Sequence, residues 1–167
     1  MKSEELRSIQ APIKARYREE PESAIITHIA EGELGMNISC KVETGRALVE
    51  AGLHPASGGT GLLICSGEML LEALVACAGV TMSSVATAIG IELKSGKIKA
   101  EGDIDYRGTM AVSKEVPVGF RAIRLHFYLE TDATEEQVKL LAKLTERYCI
   151  VYQTLTKGVS VDTSYHH

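Results

Sequence analysis

Ser66-Gly-Glu-Met-Leu-Leu-Glu-Ala-Leu-Val-Ala-Cys77-Ala-Gly-Val-Thr-Met-Ser-Ser-Val-Ala-Thr-Ala-Ile-Gly90 reads as one long helix. Ser66 is a good N-cap, Glu68 and Glu72 place negative charge in the first turns where the helix dipole favours it, and Gly90 before apolar Ile91 makes a left-handed C-cap. At about 1.5 Å per residue the helix runs roughly 34 Å, the width of a small domain. From Ala73 to Gly90 it carries no charged residue on any face. A helix uncharged all round belongs inside something, so this stretch is expected to be the central core helix.

A membrane span is the first rival, since about 20 apolar residues can cross a bilayer. Thr81, Ser83, Ser84 and Thr87 dilute the hydrophobicity, no aromatic belt flanks the stretch and no second span accompanies it, which argues against a membrane. Cys77 lies mid-helix, on one stripe with Leu70, Ala73, Leu74, Val80, Thr81, Ser84 and Ala88. Taken alone, such a cysteine reads as a small buried hydrophobe.

Outward from this helix, 167 residues suffice for one domain with a sizeable core. With 45% hydrophobic and 24% charged residues the composition is that of a soluble globular protein. A net charge of -4 gives no electrostatic footprint for nucleic acid or an anionic membrane, which excludes both as main partners. The opening Met-Lys-Ser-Glu-Glu-Leu-Arg has no apolar signal region, so the expected location is cytoplasmic. Cys40, Cys65, Cys77 and Cys149 show no metal-ligand spacing, and in a reducing compartment they are free or redox-active thiols.

Residues 1–20 space Leu6, Ile9, Ile13 and Tyr17 by three or four, as in a short amphipathic helix interrupted near Pro12. This arm is expected to lie on the body or on a partner chain, with residues 21–167 forming a single domain. Ala24 to Ala30, Met36 to Val42 and Arg46 to Val49 are strand-like runs separated by Gly32, Gly35 and Gly45, consistent with an antiparallel meander. The glycine-rich loop 51–64 has Gly58, Gly59 and Gly61 but no Lys-Ser/Thr to follow them, so it fits no phosphate fingerprint.

Strands are also expected over Lys97 to Arg107 and Phe120 to Thr131. In the second, Ile123, Leu125, Phe127 and Leu129 alternate with Arg124, His126, Tyr128 and Glu130, the period of a strand with one buried face. His126 then falls on the polar side as a solvated or cross-strand-paired residue. Thr134-Glu-Glu-Gln137 is a capping box opening a helix over Glu135 to about Arg147, with Cys149 at its end. Ile150 to Leu155 reads as a further helical piece stopped by Gly158, and Val159 to Tyr165 as a last strand. The order predicts an α+β fold with antiparallel sheets wrapped around two core helices. A sheet curled round one very apolar helix leaves part of it uncovered, which dimerisation would close.

Glu68-Met-Leu-Leu-Glu-Ala-Leu-Val-Ala-Cys77, Tyr148-Cys149-Ile-Val and Leu155-Thr-Lys-Gly-Val-Ser-Val carry a resemblance to the OsmC/Ohr family (osmotically inducible protein C and organic hydroperoxide resistance proteins), over roughly residues 24–165. The resemblance implies an intertwined homodimer acting as a thiol-dependent peroxidase on organic hydroperoxides, with sites at the subunit interface and no bound cofactor. It implies that Cys77 is the peroxidatic nucleophile, that Cys149 resolves it as a disulfide, and that an external dithiol or lipoyl-type reductant reopens the bond. The family lowers its nucleophile's pKa with an arginine held by a glutamate. Glu68 and Arg46 are the candidates here. Glu68 lies nine residues before Cys77, on the opposite side of the helix and about 13 Å along its axis, so it would act across the dimer. Two positions depart from the pattern: Gly67 stands where the best-studied peroxidases have glutamate, and Ile150 stands where proline usually follows the second cysteine. Cys40 and Cys65 match nothing in the family and are expected to be spectators.

Two other readings stay open. One is a protein that kept the fold and dimer but binds a small ligand or senses redox state. The other is an acyl-thioester hydrolase using a helix-borne acid, for which Glu72 is the candidate, about 140° round the helix from Cys77.

Overall fold

The computed structural model describes residues 2–19, 32–34, 39–43 and 48–166. In chain order the elements are α1 (Ser3–Glu19), β1 (Gly32–Leu34), β2 (Ser39–Glu43), β3 (Leu48–Gly52), β4 (Ile64–Cys65), α2 (Ser66–Ile89), β5 (Ser95–Ile104), α3 (Tyr106–Thr109), β6 (Phe120–Glu130), α4 (Glu135–Tyr148) and α5 (Ile150–Lys157). The fold is mixed α+β, as the order of patterns implied. The chain divides into two compact units, one of Met1–Arg7, Ala73–Lys99 and Phe127–His167, the other of Ser8–Glu72 and Ala100–His126.

In the first unit the core is Met82, Ala86, Ile91 and Leu141, with Val85, Leu93, Phe127, Leu129 and Ala133 packed around it. α4 enters this core because its capping box forms as the sequence implies. Gln137 N–H donates to Thr134 Oγ1 at 3.3 Å, and Thr134 N–H donates to Gln137 Oε1 at 2.8 Å. Two of the donors that a helix start leaves orphaned are thereby satisfied. Leu141 is wholly enclosed, and buried Thr145 satisfies its hydroxyl by donating to Leu141 O at 2.8 Å.

α2 is covered only in part, as expected of a very apolar helix with a sheet curled round it. Its buried residues are Leu74, Ala78, Met82 and Ala86, a single stripe at four-residue spacing. Ala73, Ala76, Val80 and Ser83 lie exposed on another face, Val80 to 73%. One chain buries one stripe of this helix, half-covers its flanks and leaves a further face exposed.

In the second unit β1 to β4 form a four-stranded sheet in sequence order. β1–β2 and β2–β3 are antiparallel, with Lys41 opposite Glu50, but β3–β4 is parallel, with Ala51 opposite Ile64 and Gly52 opposite Cys65. The antiparallel meander expected before residue 50 forms over β1 to β3, and β4 joins it in parallel. The linking loop folds through a 3-10 turn, Pro55–Ser57, and reverses at Gly58, whose φ of 91° suits glycine. β5 and β6 make a second, two-stranded sheet. On its polar face Arg124 pairs with Asp103, and His126 Nε2 lies 3.4 Å from Glu101, the cross-strand pairing expected of this histidine.

Three further expectations change. α1 continues through Pro12 from Ser3 to Glu19, at the cost of one main-chain hydrogen bond, instead of breaking there. A four-residue helix, α3, begins beyond β5, held by Asp105 as N-cap, whose side chain accepts from Arg107 N–H. Residues 159–165 form no strand: the segment is irregular and exposed, and none of the described strands pairs with it. The run Ala24 to Ala30 lies outside the described residues.

Candidate functional site: the Cys77–Cys149 pair

Cys149 occupies a break between two helices. Its φ of -74° and ψ of 110° are extended, which ends α4 and starts α5 at the same residue. Its N–H still donates back to Thr145 O at 2.9 Å. Its side chain is buried, and its Sγ accepts from Tyr152 N–H at 3.5 Å as the cap of α5. A sulfur thus stands where an oxygen normally caps a helix.

Cys77 comes to the same place from the middle of α2, half-buried and unbridged. The main-chain N–H groups of Val151 and Ile150, the Cys149 thiol and the Thr81 hydroxyl one turn along α2 all favour the charged form of its sulfur. Burial, the largest single influence, opposes ionisation, yet these four donors outweigh it and hold the Cys77 thiol below its ordinary range. Cys149 goes the other way. Burial pushes its thiol up, the Tyr152 N–H pulls against that, and its hydrogen bond to Cys77 and the charge there add to the rise. The arrangement makes Cys77 the more acidic of the two thiols. Chemically it can present a nucleophilic sulfur with a second thiol in contact to receive a bond.

The family model described as OsmC-like protein matches residues 59–164, more than half of the chain, and spans both cysteines. The chain belongs to the OsmC-like family. Solved structures agree on the fold of this OsmC-like protein. An OsmC-like protein of Mycoplasma pneumoniae superposes with a TM-score of 0.68 at 19% identity, covering 80% of this chain and 89% of that one. An organic hydroperoxide resistance protein of Elizabethkingia anophelis gives 0.64 at 18% identity, covering 81% and 91%. One of Legionella pneumophila, also called OsmC and a predicted redox protein, gives 0.62 at 17%, covering 79% and 90%. No curated protein sequence matches the chain.

The other proposed site residues are placed differently. Arg46 lies outside the described residues. Glu68 is the third residue of α2, and its carboxylate accepts from Cys65 N–H at 3.1 Å. That is the returning half of a capping box, so Glu68 has a structural task at the start of the helix, and Cys65 stands at the cap position that Ser66 was expected to fill. Glu72 is exposed. Cys65 and Glu68 line a cavity of about 450 Å³ with His54, Tyr106 and Phe120. There the His54 and Tyr106 rings stack 5.2 Å apart. Burial, then the negative charge of Cys65 and Glu68, raises the Tyr106 hydroxyl's pKa. Among the described residues no cluster of His, Cys, Asp and Glu has the makings of a metal site.

Sequence reasoning put Thr81 on the Cys77 stripe but gave it no role, and it missed the main-chain donors of Ile150 and Val151. The signal available for Thr81 was its four-residue spacing from Cys77. The amide donors had none, because every residue except proline carries an N–H.

Proposed function

We propose that this OsmC-like protein is a thiol-dependent peroxidase that reduces organic hydroperoxides by a two-cysteine cycle. The observation that carries the reading is the contact between a Cys77 sulfur poised to ionise and a Cys149 thiol kept protonated beside it. The Cys77 thiolate attacks the distal oxygen of a hydroperoxide, the O–O bond breaks, and the leaving alkoxide takes a proton to depart as an alcohol. Cys77 is left as a sulfenic acid. The Cys149 sulfur displaces its oxygen, releasing water and forming the Cys77–Cys149 disulfide. An external dithiol or lipoyl-type reductant attacks that disulfide and is itself oxidised, returning two thiols.

In this reading the protein works as a homodimer, with Glu68 and Arg46 acting across the interface. The uncovered face of α2 and the exposed Val159, Val161 and Tyr165 of the C-terminal segment support a partner chain. The apolar stripe around Cys77 favours alkyl hydroperoxides over hydrogen peroxide, which relative rates on the two test directly.

The deciding experiment follows consumption of cumene hydroperoxide with a dithiol, using wild type, Cys77→Ser and Cys149→Ser. Loss of turnover in Cys77→Ser, together with a trappable sulfenic acid at Cys77 in Cys149→Ser, supports the peroxidase. Equal inertness of all three proteins, with a melting temperature raised by a small ligand, replaces it with the binding reading.

A further inference from the structure

From Glu135 to Lys157 the sequence holds no glycine and no proline, yet the helix breaks at Cys149 into α4 and α5. A sharp break without either residue has few causes, and one of them is a side chain inserted into the ladder of main-chain bonds. Here that side chain is Gln153. If the helix ran on, Glu146 O would receive Ile150 N–H, four residues along. It receives Gln153 Nε2 at 2.7 Å instead. A carbonyl only accepts, so the atom facing it is the amide nitrogen. Gln153 also closes the first turn of α5, its N–H donating to Cys149 O at 2.9 Å. One half-buried residue thus ties the end of α4 to the start of α5 by side chain and by main chain.

We infer that Gln153 is a positioning residue for Cys149: its amide, inserted at Glu146 O, keeps α4 and α5 from joining into one helix and leaves the Cys149 sulfur at the head of α5. In a joined helix Tyr152 N–H would turn to Tyr148 O. In the broken one it donates to Cys149 Sγ at 3.5 Å, which gives the buried sulfur a fixed main-chain partner. What the clamp selects is the backbone at Cys149, extended with ψ at 110° in place of helical. Position 150 bears on this through its N–H, the competitor for Glu146 O, since the Ile150 side chain is 73% exposed. The consequence for catalysis rests on the peroxidase reading, in which Cys149 must meet Cys77, but the clamp itself does not.

Three variants test it, and none needs a hydroperoxide. Gln153→Ala removes the amide. Gln153→Glu keeps its length but, once ionised, has no donor. Ile150→Pro combined with Gln153→Ala breaks the helix by a second route, because proline removes the competing N–H and pushes the residue before it out of the helical region. Each is followed by the α-carbon chemical shift of Cys149 in the reduced protein, which separates helical from extended backbone, and by the equilibrium of the Cys77–Cys149 disulfide with glutathione. In Gln153→Ala, and in Gln153→Glu at neutral pH, the shift should move toward the helical value and the disulfide constant should fall about fivefold, the weight of one hydrogen bond. Both should return most of the way to wild type in the double variant. Gln153→Glu carries the test if the alanine variant does not fold. A Cys149 shift that stays at its wild-type value in the single variants overturns the inference, and so does a loss that the proline fails to restore. If wild type itself forms no Cys77–Cys149 disulfide, the two-cysteine cycle fails, and the Cys149 shift alone decides the clamp.

Discussion

Beyond the burial that opposes ionisation of both, Cys149 pulls the Cys77 thiol down and Cys77 pushes the Cys149 thiol up, which separates the acidities of two chemically identical groups. A donor to a thiolate favours the thiolate, while the donor's own ionisation would place two negative sulfurs side by side. The pair therefore holds one thiol more acidic and the other less acidic than usual.

Removing the donor should raise the acceptor's pKa. In Cys149→Ala the alkylation midpoint of Cys77 moves to higher pH, while Cys149→Ser, which keeps a hydroxyl donor, moves less. A midpoint in Cys149→Ala equal to that of wild type would mean that the thiol contact does not help to activate Cys77.

Both cysteines also leave a mark on stability against pH. The folded pKa of Cys77 lies below its ordinary value of 9.0, so the stabilisation from its thiolate is complete above that value and fades as pH falls through the folded pKa. The folded pKa of Cys149 is raised, so its share is complete below 9.0 and fades as pH rises through the folded pKa. Reduced protein should gain stability on approach to pH 9 from below and lose it beyond. Thermal melts of reduced wild type against Cys77→Ser check the sign: the difference should grow with rising pH up to about 9.

The core that fixes the pair is thin, so one truncation weighs heavily. Leu141→Ala, at a fully enclosed site, should cost about 2–5 kcal/mol in denaturant unfolding. Thr134→Ala, which removes one side of the capping box, should cost about 1 kcal/mol. If the two losses are alike, Leu141 is not the keystone that its enclosure indicates.

The exposed face of α2 gives a test of assembly. Val80→Glu puts a charge on a surface of Ala73, Ala76 and Ser83 that the single chain leaves open. A homodimer packed on that face should dissociate in sedimentation equilibrium. A variant with the same mass distribution as wild type places any partner elsewhere.

Residue pattern alone determined the elements whose cause is local. α2 was legible from its uncharged run and its closing Gly90, α4 from Thr134 and Gln137, and β6 from four apolar residues at every second position. Each depends on side chains a few positions apart. The fold class followed from their order, and the family from the resemblance carried by the segments around Cys77, Cys149 and Leu155. What tertiary structure decided was anything that needed a neighbour: which stripe of α2 is buried, the parallel return of β4 beside β3, and the strandless course of residues 159–165. The site divides along the same line. Cysteines at 77 and 149 are visible in the sequence, but their contact arises from packing between distant segments. The amides of Ile150 and Val151 carry no residue identity, and only the break at Cys149 turns them toward sulfur.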